Sequence, residues 1–289
     1  MTKGGSGGPG NGSESSVTDP HSRSSDLADE SGSGDDGRLV TRLAAGGSIL
    51  FIGLVIQLGI GFLGRVLVAR VLGQFDYGAV HLGRTLLITA SAISLLGVNL
   101  GMGRYLPRFD DPAERRGVVV SALQLSLPLA VVIGIVVALT ANAVAGQLFG
   151  DPSVAPTLRV FGLAIPLAVT TKLAIGAAQG QQKPVPKALI RNITLPLAQL
   201  LFIVVALVVG GRAVAISWAY FAAYLIAAAL GAYYLLRRSP FAAAGQSSTM
   251  HRELISFSVP LMLVSVMELV FEQSDSYFVW YFADVETVG

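Results

Sequence analysis

Seven apolar stretches succeed one another along the chain, at 47–70, 79–101, 118–141, 158–180, 189–210, 213–236 and 255–282. Each is close to the ~20 residues that cross ~30 Å of hydrocarbon. Stretches this long predict helices, because lipid offers no partner to an open backbone. Pro128, Pro166, Pro196 and Pro260 fall inside the third, fourth, fifth and seventh. Each removes a backbone hydrogen bond and predicts a kink. The polar breaks carry a charge bias. Arg38 and Arg42 precede the first stretch, and Arg104, Arg108, Arg115 and Arg116 lie between the second and third. Lys183, Lys187 and Arg191 follow the fourth, and Arg237, Arg238 and Arg252 the sixth. The alternate breaks hold almost nothing but Arg212. Lys and Arg accumulate on the cytoplasmic side, so the expected protein is multi-pass in the cytoplasmic membrane, with its N-terminus inside.

Composition supports a membrane protein: 53% of the 289 residues are hydrophobic and 13% charged, against roughly 25% charged in soluble domains. Residues 1–40 differ, being Gly/Ser-rich with seven acids against three Lys/Arg. Such a segment cannot bury enough apolar surface to offset its ordering entropy and is expected to be a disordered cytoplasmic tail. Three His and no Cys leave little for a metal site and exclude disulfides and thiolate chemistry. No GxxxxGK[ST] motif provides a nucleotide motor. No lysine follows Lys187, which excludes a retinal Schiff base in the seventh stretch. No nucleophile–base pair stands near a membrane face, so an enzyme is not expected, nor is a nucleic-acid partner.

The informative residues are the polar ones inside apolar stretches, because ionisable groups there mark cavities or pathways. The stretch GIGFLGRVLVARVLGQFDYG (59–78) holds Arg65 and Arg70. Arg65 sits about 7.5 Å below the outer end of its helix, and Arg70 points about 140° away and is expected at the interface. Arg84 is expected at a depth similar to Arg65, with His81 about one turn above it. Two readings stand: a cationic cavity that meets a polyanion, or snorkelling and an intramembrane salt bridge. In the seventh stretch, Glu268, Glu272 and Asp275 share one helical stripe. They either bind Na⁺ or H⁺, as in ion-coupled transport, or pair with Arg65 and Arg84. Lys172 lies about 12 Å from the inner end of the fourth stretch. Gln57, Gln124 and Gln199 are read first as helix–helix glue.

VARVLGQFDYG (68–78) and VWYFADVETVG (279–289) share a pattern at an offset of 211 residues. This internal repeat makes the seventh stretch the opening of a second lobe. The domains expected are thus the tail (1–40), a six-helix lobe (41–238), a cytoplasmic inter-lobe loop (239–254) and the first helix of a second lobe (255–289), with the remainder missing.

The run GRVLVARVLGQFDYGAVHLGRTLL and the later LLGVNLGMGRYLPRF resemble the opening of oligosaccharide-lipid flippases. These are the O-antigen or polysaccharide translocases of the multidrug/oligosaccharidyl-lipid/polysaccharide (MOP) superfamily. The matching residues are Ala69, Arg70, Leu72, Gly73, Tyr77 and Gly78, then Leu96, Gly97, Arg104 and Tyr105. In the seventh stretch they are Pro260, Asp275, Val288 and Gly289. The resemblance implies an all-α, MATE-like two-lobe transporter fold that moves polyprenyl- or dolichyl-(pyro)phosphate-linked oligosaccharides across the cytoplasmic membrane. It implies Arg65 as a substrate-binding residue and Asp275 as an ion-coupling one; Arg84, His81 and Lys172 join the first set, and Glu272 and Glu268 the second, from their places in the apolar stretches. No cofactor is implied beyond a coupling Na⁺ or H⁺. The partners would be membrane lipids, the lipid-linked glycan and the glycosyltransferases or polymerase of its pathway. A cation-coupled multidrug exporter of the same superfamily and a non-transporting scaffold are the alternatives.

Overall fold

The structure is a computed structural model that describes Ser48, residues 51–148 and 150–238, and seven positions between Ser256 and Phe271. Contacts divide the chain into Met1–Ser48 and Ile49–Gly289. Ser48, which is helical, represents the first unit, and the elements below belong to the second. They are α1 (Phe51–Val71), α2 (Gln74–Leu95), α3 (Val98–Tyr105), α4 (Pro112–Leu148), α5 (Ala155–Gly180), α6 (Pro184–Ala188), α7 (Leu195–Val208) and α8 (Ala213–Arg238). A π-helical turn, Leu189–Thr194, joins α6 to α7. Among the described residues there is no strand, and six helical spans are long and apolar enough to cross a membrane. Leu139, Val208 and other large apolar side chains stand out on the surface, a belt that suits lipid. The protein is an all-helical, multi-pass membrane protein.

The first six apolar stretches correspond to these six spans, with shifted bounds. The second does not run unbroken from 79 to 101. Leu96 and Gly97 both take left-handed backbone, at φ 49° and 73°, and separate α2 from α3. The third extends well beyond 118–141 at both ends. At its start the Asp111 carboxylate accepts a hydrogen bond from the Ala113 amide at 2.9 Å, an N-terminal cap. The fifth begins at Pro184 rather than 189, and its Pro196 is the second residue of α7, just past the π turn. Pro128 and Pro166 lie within α4 and α5, which continue through them. Of the seventh stretch, Ser256, Ser258, Pro260, Leu263, Met267, Val270 and Phe271 are helical. Glu268, Glu272, Asp275, the tail 1–40, the loop 239–254 and the repeat 279–289 lie outside the described residues.

α5 is the hub. It packs against α2, α3, α4 and α8, and Leu158, Phe161, Ile165 and Leu173 are wholly buried along it. Small residues let backbones approach closely where hydrocarbon gives no hydrophobic drive. A Cβ at Gly176 would stand 2.8 Å from the Asn99 carbonyl oxygen, and one at Gly180 2.5 Å from that of Met102. These two glycines seat α3 against the end of α5. Gly134 and Gly162 do the same between α4 and α5.

Polar contacts tie the two ends. Arg212 Nε donates to Asp76 Oδ2 at 2.9 Å, joining the α7–α8 turn to the first turn of α2. At the opposite end the Tyr234 hydroxyl donates to Gln181 Oε1 at 3.2 Å, joining α8 to the turn after α5.

Candidate functional site

Between α1, α2, α3, α5, the π turn, α7 and α8 lies a cavity of about 510 Å³. Each wall is one stripe of a helix, set by the 3.6-residue repeat. On α1 the stripe runs through Gln57, Gly61, Gly64 and Arg65. Gly53, one turn before Gln57, faces Asn192, and Val68 and Leu72 beyond Arg65 are buried in the core. Burial at both ends of the stripe fixes the rotation of α1 and turns Arg65 to the cavity. Arg70 is exposed and does not line it.

On α2 the stripe is Arg84, Ile88, Ala92 and Leu95, carried across the break to Asn99 on α3. Gly83, beside Arg84, packs on the Phe161 ring so closely that a Cβ there would clash. Phe161 in turn lies against Tyr220, ring centroids 5.6 Å apart. Tyr220 and Tyr224, one turn apart on α8, form the opposite wall. Arg84 acts electrostatically on both hydroxyls and Arg65 on that of Tyr220, so the two guanidiniums converge on one aromatic patch.

α5 presents Thr171, Lys172, Ile175, Gly176 and Gln179, and the π turn with α7 presents Arg191, Leu195 and Gln199. Gln179 Oε1 accepts from Lys187 Nζ at 3.2 Å, and Lys187 lies within electrostatic reach of Arg191. Four cationic side chains therefore line the cavity, Arg65, Arg84, Lys172 and Arg191, and no acidic one does among the described residues. Amides and hydroxyls complete a wall that can donate many hydrogen bonds to an anion.

Of the residues singled out in the sequence, the structure brings Arg65, Arg84, Lys172, Gln57 and Gln199 into this one cavity. It does not bring His81 there. That ring lies beside Tyr77, centroids 6.4 Å apart, away from the cavity lining. Gln124 does not line it either. Glu268, Glu272 and Asp275 are outside the described residues. Arg191, Asn99, Thr171, Gln179, Tyr220 and Tyr224 were missed. Arg191 had been counted with a loop, although it lies seven residues into a continuous helical rod that starts at Pro184. The Tyr220/Tyr224 spacing in an apolar stretch was a usable signal.

The bundle resembles a solved structure described as the inward-facing conformation of a multidrug resistance MATE family transporter of the MOP superfamily. The TM-score is 0.65 at 16% sequence identity, over 81% of this chain and 59% of that one. The chain thus spans less than two thirds of that transporter. The two share a fold. The family model of polysaccharide biosynthesis proteins matches residues 43–289, and the chain belongs to that family. No curated protein sequence matches it.

Proposed function

We propose that this protein translocates a polyprenyl- or dolichyl-(pyro)phosphate-linked oligosaccharide across the cytoplasmic membrane, for surface polysaccharide or glycoprotein synthesis. The observation that carries this is a cavity lined, among the described residues, by four cations and no acid, in a chain of a polysaccharide biosynthesis family. Charge-assisted hydrogen bonds from guanidinium and ammonium groups suit a phosphate headgroup. The glycan passes through the cavity beside the amides and tyrosines, while the polyprenyl tail stays in lipid. The N-terminus is cytoplasmic, so the α1–α2 turn faces outward. Residues 41–238 act as one lobe, and Asp275, Glu272 and Glu268 supply Na⁺ or H⁺ coupling from the helix that follows the loop at 239–254. Glycosyltransferases or a polymerase of the same pathway deliver and receive the glycan. An exporter of organic cations would want carboxylates in this cavity, and among the described residues it has none.

The test is Arg65→Ala, with membrane expression measured alongside. The expected outcome is loss of lipid-linked glycan on the outer leaflet at normal expression, with precursor accumulating inside. Full translocation by this variant would remove Arg65 from the mechanism.

A further inference from the structure

The four cavity cations spring from two levels of the bundle. Helix rise gives their depth, at about 1.5 Å per residue. Arg65 stands six residues from the end of α1 and Arg84 ten from the start of α2, so about 9 and 15 Å from the α1–α2 end. Lys172 stands seventeen residues into α5 from that same end. Arg191 stands seventeen before Val208, the last residue of α7. Both are therefore about 25 Å deep. Arg65 and Arg84 share Tyr220, whereas Arg191 lies near Lys187, which binds Gln179.

We propose that the cavity holds two phosphate-binding stations rather than one: an outer station of Arg65 and Arg84, and an inner station of Lys172 and Arg191. The backbone levels of the two pairs differ by about 10 Å, which places each pair to meet a phosphate group of its own. This rests on the flippase reading above, and it deepens it. In that orientation the inner pair meets the lipid-linked phosphate first and the outer pair receives it. Passage then proceeds between two shallow binding steps instead of out of one deep well. Arg191 becomes a binding residue of the inner station, carried on a π turn of the kind that recurs at functional sites.

The experiment uses the full chain in phosphatidylcholine nanodiscs, titrated calorimetrically with farnesyl diphosphate and, separately, with inorganic diphosphate. The wild type is expected to bind two farnesyl diphosphates per chain. Lys172→Gln with Arg191→Gln should remove one site and leave the other within a few-fold of its wild-type Kd. Arg65→Gln with Arg84→Gln should remove the other. The charge-retaining pair Lys172→Arg with Arg191→Lys should keep both, which guards against a folding artefact. One site in the wild type, or loss of all binding on replacing either pair, overturns the two stations while leaving the flippase reading intact. Two sites filled by inorganic but not farnesyl diphosphate would support two stations and overturn the lipid-linked source. Absence of binding by either probe overturns both readings.

Discussion

The half of the bundle built on α5 and the wall formed by α1 and α7 are assembled by different rules. Of the most apolar window of α5, 67% is buried, against 17% for α1. Around α5 the contacts are steric: glycines at 134, 162, 176 and 180 admit a neighbouring backbone where a single added carbon would not fit. Along α1 and α7 the outward faces are bare aliphatic side chains, and the inward faces are amides and cations around open space. The steric half can tolerate little change of shape. The cavity wall can tolerate change of shape but not of charge. The lesson is that one set of residues holds the lobe together while another, nearly separate set lines the cavity.

That division can be broken most forcefully at Gly180. Gly180→Val puts a branched side chain into the Met102 carbonyl. Overpacking typically costs about 1–3 kcal/mol or more, so a large fall in Tm, or no monodisperse protein, is expected by thermal unfolding in detergent. A stable Gly180→Val protein would show that the α3–α5 seam yields. Next comes Arg84→Ala, which should leave Tm nearly unchanged. It should weaken farnesyl diphosphate by roughly ten- to a hundred-fold, the value of a charge-assisted hydrogen bond at about 1.5–3 kcal/mol. A large stability loss instead would mean that Arg84 serves the packing. Tyr224→Phe removes one neutral hydroxyl from the wall, and a few-fold loss of affinity is expected from about 1 kcal/mol. The smallest effects belong to residues outside both regions. Arg70→Ala should not alter diphosphate binding at all, in contrast to its neighbour on α1. Asp76→Asn breaks an ion pair whose arginine side chain is 83% exposed, and less than about 1 kcal/mol is expected in unfolding measurements.

Hydropathy alone located the spans, because the physical demand on a lipid-crossing helix is written in its composition. The same averaging hid what lies inside a span. The break at Leu96–Gly97 interrupts an apolar run without any charged residue to announce it, and Leu96 takes a backbone conformation that leucine rarely adopts. The fifth span begins five residues before its apolar run, because Lys183 and Lys187 read as loop residues although the rod is helical from Pro184. Lateral position was harder still. Arg65 and Arg70 are separable in the sequence, because about 140° of helix stands between them. His81 shares the helix of Arg84 and lies three residues before it, yet it ends beside Tyr77 rather than at the cavity. Which stripe of a helix faces the interior depends on packing partners such as Phe161 against Gly83, and those are distant in the chain.

The four cations also have an electrical consequence. A unit charge carried through 100 mV of membrane potential exchanges about 2.3 kcal/mol, so fixed charges in the interior respond to voltage whenever their helices shift. An empty cavity carries all four charges. One holding a diphosphate has much of that charge cancelled. With the cell interior negative, the field draws these cations toward the cytoplasmic side, which in the orientation proposed above is the loading side. In the flippase proposed above, voltage would then act chiefly on the return of the empty carrier and only weakly on the loaded passage.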